Sequence, residues 1–224
     1  AISAAYREAV SLPFKNLGAD LVVQRPEVRA VDSGQPAQSM RGIRLPISSQ
    51  ILAADDLAKL RAVPGVDALS SALLLWEFDR GGFRTIMGVD LAQPSLGPVR
   101  VKDWLAKGRF PDREGEVVLE KHYAKFHNTQ LGDPFAIGGR SFTVVGLLEI
   151  KEGSQIAAAN IYLPLADAQA LLEKGAGSVN TVYLRLKDPA LQDRVKAEIL
   201  QGLPGVSVAS SDSFLEVMGG VSRI

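Results

Sequence analysis

Two stretches of this 224-residue chain share one pattern with every matched position shifted by 140 residues, from Pro64 to Pro204. In each, a short amphipathic segment runs into Pro-Gly-Val and then into a strand-like run closed by two serines. The first holds Leu60, Val63, Pro64, Gly65, Val66 and Ser70-Ser71; the second holds Leu200, Leu203, Pro204, Gly205, Val206 and Ser210-Ser211. An ungapped match of this kind suggests two copies of one α/β unit separated by an insertion. That reading constrains the fold more than any single residue does, because each copy must supply a helix and a strand to a shared sheet.

The pattern between and around the copies is consistent with it. Residues 1–10 read as a helix already under way, and Asn16-Leu17-Gly18 as its C-cap, with Gly18 free to take the left-handed conformation. A short strand is expected at 20–24 and an irregular, mobile loop at 25–46, where Pro, Gly, Ser, Gln and Arg are mixed. Asp55 is placed to cap a helix over 56–62, with Leu57, Leu60 and Val63 as its apolar stripe. Strands at 66–78 and 83–89 are joined by the turn Asp79-Arg80-Gly81-Gly82.

The middle differs in character. A short helix is expected at 101–107, a strand at 115–120 and a second short helix at 121–127. A hairpin of 133–137 and 141–149 turns at Gly138-Gly139, which readily adopts φ > 0. The α/β pattern then returns with a strand at 160–163, a helix at 164–174 and a strand at 181–187. In that last strand Val182, Leu184 and Leu186 alternate against Thr181, Tyr183, Arg185 and Lys187, the mark of a half-buried strand. Asp188-Pro189 opens a helix with Leu191, Val195 and Ile199 in a row, and a final strand spans 206–209. Ser211-Asp212-Ser213 reads as an N-cap cluster opening a further helix toward Ile224. The expected class is α+β, with two βαβ-type lobes and a β-rich inserted lobe. Residues 1–83 plus 151–224 would form one discontinuous domain and 84–150 a separate β-rich lobe.

Composition excludes several functions. Lys plus Arg (25) equals Asp plus Glu (25), so no basic stripe is available for nucleic acid. The absence of cysteine excludes a disulfide scaffold and thiolate metal sites, and fits an oxidising extracytoplasmic compartment. No apolar run approaches the ~20 residues needed to span a bilayer, yet both ends look cut from a longer protein.

Candidate chemistry is sparse. His122 and His127 stand five apart, which separates the rings by well over a hundred degrees on a helix, so they read as surface histidines. Glu114, Glu116 and Glu120 read as exposed strand charges, Asp55-Asp56 as a helix cap, and Gly175-Ala176-Gly177 as a helix terminator. No phosphate-binding glycine loop or nucleophile elbow follows a strand. Trp76 reads as core; Trp104 reads equally as core or as a partner anchor. The expectation is no catalytic, cofactor-binding or metal-binding residue.

An ordered set of short stretches resembles the periplasmic core domain of MacB-like ABC transporter permeases, the group that includes FtsX-like and lipoprotein-releasing permeases. The set is Gly18-Ala19-Asp20-Leu21-Val22-Val23, Asp56-Leu57 leading to Pro64-Gly65-Val66, Gly88-Val89-Asp90, Gly108-Arg109-Phe110 and Gly115-Glu116-Val117-Val118-Leu119. It continues with Leu131-Gly132-Asp133, the run from Phe142 to Leu148, Ile161-Tyr162-Leu163-Pro164-Leu165 and Val182-Tyr183-Leu184-Arg185-Leu186. The resemblance implies a porter-like domain of two βαβ lobes carrying a mostly β, sabre-like insert. It implies a position outside the inner membrane, between two membrane helices, with the first and last helices side by side.

The implied partners are a cytoplasmic ATPase, a second permease subunit, and an extracytoplasmic protein or substrate. The implied work is mechanical, with no catalytic residues in the core domain. A second reading, from another class, is an extracytoplasmic ligand-sensing or protein-binding domain without a transport role. A sensor needs a polar, ligand-sized pocket, which the sequence alone does not offer.

Overall fold

Apolar residues on both faces of its first strand place the centre of the fold. Strand β1 (Leu21–Pro26) follows Gly18, whose φ of 70° turns the chain into the sheet. Leu21 and Val23 enter one core while Val22 enters another on the opposite face, so β1 is an interior strand. The computed structural model describes residues 16–26, 42–46, 49–79, 82–150, 159–172 and 175–210. The expected helices at 1–10 and after Ser213, and most of the expected loop at 25–46, lie outside these residues.

The remaining strands are β2 (Ile43–Arg44), β3 (Ser49–Gln50), β4 (Val66–Asp79), β5 (Gly82–Val89), β6 (Leu105–Gly108), β7 (Glu116–Glu120), β8 (Pro134–Ile137), β9 (Arg140–Leu148), β10 (Ile161–Pro164), β11 (Thr181–Leu186) and β12 (Ser207–Ser210). The helices are α1 (Ala54–Ala62), α2 (Lys121–Phe126), α3 (Leu165–Leu171) and α4 (Gln192–Gly202). The strands form one mixed sheet in the order β12-β1-β11-β4-β5-β10-β7-β9-β6, with β2 on β4, β3 on β1 and β8 on β9. The protein is therefore α+β, with a large sheet and few helices.

The first four strands of that order are all antiparallel. They arise from two interleaved units, β1–α1–β4 and β11–α4–β12, each of which skips one strand before returning to the sheet. This is the doubled split βαβ arrangement known as ferredoxin-like. Residues from both helices, Leu60 from α1 and Val195 and Ile199 from α4, pack with Leu21, Val182 and Leu184 on one face of the sheet. Each unit leaves its helix through the repeated turn, where Gly65 and Gly205 have φ of 99° and 84°. In each, the valine N–H bonds back three residues, Val66 to the Val63 carbonyl at 3.2 Å and Val206 to that of Leu203 at 3.4 Å. The two Pro-Gly-Val turns thus hold equivalent places in the topology.

The side chains match less closely than the turns. Leu60 is fully buried, whereas Leu200, its aligned counterpart, is 44% exposed and Ile199 is buried instead. The exits differ: the Val63 N–H bonds the Leu60 carbonyl three residues back, while the Leu203 N–H bonds the Ile199 carbonyl four back. A three-back closure winds more tightly than a four-back one, and the buried faces of the two helices differ by one residue step, about 100°.

Other expectations are corrected. Asp55 does not cap α1: Ala53 holds the cap position and the Asp56 carboxylate accepts its N–H at 3.0 Å. Residues 101–107 form no α-helix. A 3-10 helix spans Pro98–Trp104, started by Gly97 (φ 90°) and Pro98, and Leu105 then pairs with Leu148 at the sheet edge. The helix expected over 164–174 ends as α3 at Leu171, because Leu172 is already extended. Strand β11 is buried on both faces: Tyr183 packs in the core that also holds Leu17, Leu96 and Val99. The segment before β1 and the 3-10 region thus cover the face that alternation alone would leave to solvent.

The sheet continues without interruption into 84–150, and that boundary falls inside β5. One core draws on both sides of it, joining Ile43, Leu73, Leu75 and Ile86 to Val117, Leu119, Ile137 and Val144, and to Ile161 and Leu163. Strand β4 joins the two regions physically. Its first half pairs with β11 and its second half with β5 and β2.

Candidate functional site

The singled-out histidines go to different partners. His122 Nδ1 lies 2.8 Å from Glu120 Oε1, while the His127 ring packs at a tilt against Tyr123 with centroids 4.3 Å apart. Glu120 Oε2 also accepts the Tyr123 N–H at 2.8 Å and so caps α2. Burial raises the Glu120 pKa, but the bonds from His122 and the backbone outweigh it and the net shift is downward. Glu114 is exposed. Gly175 stands a few residues after α3, with its N–H on the Leu172 carbonyl at 3.1 Å. Among the described residues, no group of three or more His, Asp or Glu side chains is arranged to hold a metal ion.

Two ion pairs with a buried carboxylate escaped the sequence reading. Glu116 is buried, not an exposed strand charge, because β7 is an interior strand between β10 and β9. Its carboxylate is gripped by the Arg109 guanidinium through both oxygens, with Nη1 to Oε1 at 2.9 Å. The Arg109 bonds, followed by that from the Asp112 N–H, outweigh burial and hold the Glu116 pKa down to about 2.

The second pair sits where the two halves of the sheet meet. Glu77 on β4 and Arg84 on β5 are ion-paired, and Glu77 Oε2 accepts the Gly138 N–H at 2.7 Å. Arg84 also donates to the Tyr123 hydroxyl at 3.2 Å and to the Ala136 carbonyl, and its guanidinium lies 4.9 Å from the Phe135 ring centre. Burial lowers the Arg84 pKa, but the Tyr123 and Glu77 bonds more than compensate and the net shift is upward. One charged cluster therefore ties β4 and β5 to α2 and to the β8–β9 hairpin. The nearest signal in the sequence was a lone Glu inside an apolar strand, cross-strand from an Arg.

Two surfaces stand out among the described residues. Trp76 is half-buried and is corrected from core to surface: it packs edge-on to Phe83 at 5.3 Å, and Phe83 contacts Phe78 at 5.1 Å. Phe78 and Phe83 are 44% and 52% exposed near the end of the β4–β5 hairpin, with Arg44 over Phe78. Trp104 is partly buried against the core beneath the 3-10 helix. The second surface is a groove of about 840 Å³ bounded by β6, β9, α2 and the loop 128–131, with Lys107, Lys121 and Lys125 at its walls. Both surfaces offer apolar side chains beside cationic ones.

A doubled split βαβ unit whose sheet continues through β5, β10, β7, β9 and β6 carries both surfaces. The family model described as the MacB-like periplasmic core domain matches residues 1–201. The chain belongs to that family. The fold is similar to the crystal structure of the periplasmic region of MacB from Actinobacillus actinomycetemcomitans, with a TM-score of 0.59 at 14% identity, covering 96% of this chain and 98% of that one. It is also similar to the extracellular domain of the noncanonic ABC-type transporter YknZ from Gram-positive bacteria, with a TM-score of 0.55 at 18% identity, covering 86% and 100%. No curated protein sequence matches the chain. Among the described residues, no helix is long and apolar enough to cross a membrane.

Proposed function

We propose that this chain is the extracytoplasmic part of an ABC transporter permease subunit, and that it converts ATP-driven movement of membrane helices into handling of a substrate or partner protein outside the membrane. A cytoplasmic ATPase supplies the energy, and a second permease subunit supplies the surface against which the domain moves. Residues 1–83 plus 151–224 act as the porter-like base and 84–150 as the sabre-like insert it carries.

The single observation that carries this reading is β4. At roughly 3.3 Å per residue its 14 residues extend about 43 Å. It is hydrogen-bonded into the split βαβ unit at one end and into the insert-bearing half of the sheet at the other. Its first half is paired with β11 and its second half with β5, the two ladders meeting at Ala72, so a push on the base reaches the insert along one continuous hydrogen-bonded backbone. The Glu77–Arg84 cluster reinforces that junction.

These 224 residues hold no cysteine, so an introduced one is a unique label within the domain and permits a direct test. A Gln201→Cys label on the exposed end of α4 in the assembled transporter reports the distance between two copies. That distance is expected to change between nucleotide-free and ATP-trapped states. A distance unaffected by nucleotide in a transporter that hydrolyses ATP would rule the coupling out.

A further inference from the structure

We infer that the groove between β6 and α2 is a docking site for an acidic, partly apolar segment of an extracytoplasmic protein. The inference rests on the reading that this domain meets a partner outside the membrane. Its observations are local, however, and its test is separate.

The groove is cationic in a chain of zero net charge. Lys121 and Lys125 project from successive turns of α2, an i, i+4 spacing that puts both on one face. Lys107 approaches from β6, cross-strand from Leu147 of β9. Among the described residues the sole carboxylate at the walls is Glu149, 3.6 Å from Lys121, so three lysines face one glutamate and two positive charges are in excess. Both members of that pair are about half exposed, where an ion pair contributes little, and an incoming carboxylate can displace Glu149.

The groove is also preformed. The loop beyond α2 is fixed by Asn128 in the left-handed region (φ 52°), by the Thr129 N–H on the Ala124 carbonyl at 2.9 Å, and by the Gly132 N–H on the Val144 carbonyl at 2.8 Å. The floor is apolar, with Ala124 and Leu147, and Leu131 at the rim is 41% exposed. One residue beyond Lys125, Phe126 is 86% exposed on a helix whose other apolar residues are covered.

These features select the occupant by charge and shape. A phosphate-rich ligand is gripped best by arginine forks or by converging backbone N–H groups, and among the described residues the groove walls hold no arginine. Lysines spaced around small apolar side chains suit a chain that offers carboxylates between apolar residues. The volume is that of a site for a ligand of drug size, enough for a few side chains and not for a folded domain. Among the described residues strand β6 ends the sheet order, so an extended segment can lie along its outer side.

The test is fluorescence anisotropy with the 224-residue chain and a labelled octapeptide alternating glutamate and leucine. Its comparators are the same peptide with glutamine for glutamate, and vesicles of phosphatidylglycerol. The glutamate peptide is expected to bind, and to weaken as ionic strength rises from about 0.05 to about 0.3 M. Joint Lys107→Glu, Lys121→Glu and Lys125→Glu replacement is expected to weaken it at least about tenfold, while Lys→Arg at the same positions retains it. All three sites are exposed, so melting temperature should be unchanged and serves as the folding control.

The proposal is overturned if the glutamate peptide fails to bind, if the glutamine peptide binds equally, if charge reversal leaves binding intact, or if the vesicles bind through these lysines and the peptide does not. The nucleotide-dependent distance at Gln201 in the charge-reversed transporter separates this failure from failure of the coupling.

Discussion

Replacing Glu77 by leucine should be among the costliest single changes in this domain. Glu77 is 3% exposed and its carboxylate serves two donors, the Arg84 guanidinium and the Gly138 N–H. Leucine fills much of the volume but leaves Arg84, whose side chain is 13% exposed, without a counter-charge. Stranding one member of a buried pair costs about 3–5 kcal/mol. The orphaned Gly138 N–H adds about 1 kcal/mol, and the extra apolar burial offsets a similar amount. The net expectation, about 3–5 kcal/mol, is a large part of the ~5–15 kcal/mol that stabilises a typical domain.

Urea denaturation of the parent, Glu77→Leu, Arg84→Met and the double variant closes a thermodynamic cycle. The double variant should recover much of the loss, because two apolar side chains replace a charge pair that is expensive to desolvate. A coupling of at least about 2 kcal/mol is expected, within the range measured for residues in one network. Glu77→Leu costing less than ~1 kcal/mol, or a double variant equal to the sum of the singles, would refute the reasoning.

Ile199→Ala should cost about 2–5 kcal/mol and Leu200→Ala less than about 1, since the first is buried and the second 44% exposed; equal urea midpoints would contradict the helix phase described. At Gly88 an added Cβ would lie 2.4 Å from the Ala168 Cβ on α3, so Gly88→Ala should destabilise by about 1–3 kcal/mol and Ala168→Gly in the same chain should recover part of it. Glu116 titrates at about 2 in the folded chain and near 4.3 when unfolded. Its pairing therefore stabilises above the unfolded value and is lost as pH falls through that window. The urea midpoint of Glu116→Gln should vary less than the parent's between pH 4.3 and 2, and an unchanged acid slope would show that the pair is not formed in solution.

The repeat was legible because helix–turn–strand junctions depend on local chemistry. Proline, a glycine at positive φ and a valine fix the turn wherever it sits. The hairpin at Gly138-Gly139, the Asp188-Pro189 helix start and strands β4, β5 and β9 were legible for the same reason. What failed depends on distant residues. Tyr183 faces a core built from Leu17, Leu96 and Val99, far away in sequence, so alternation understated its burial. Val101 looked helical because its spacing ignores that Leu105 pairs with Leu148. Glu116 looked like a surface charge because its burial comes from β7 lying between β10 and β9, which the local sequence does not reveal. The lysine groove had no linear signature, since Lys107 and Lys125 stand on different elements.

The central claim is that the base and the insert move as one body. Labels at Gln201→Cys on α4 and Ala136→Cys on β8, both exposed positions, measure that directly by pulsed electron spin resonance in the assembled transporter. The account predicts one distance distribution, unchanged between nucleotide-free and ATP-trapped states, while the distance between copies shifts. A nucleotide-dependent change in the Gln201–Ala136 distance would mean that the sheet flexes at β4, and would contradict rigid transmission through it.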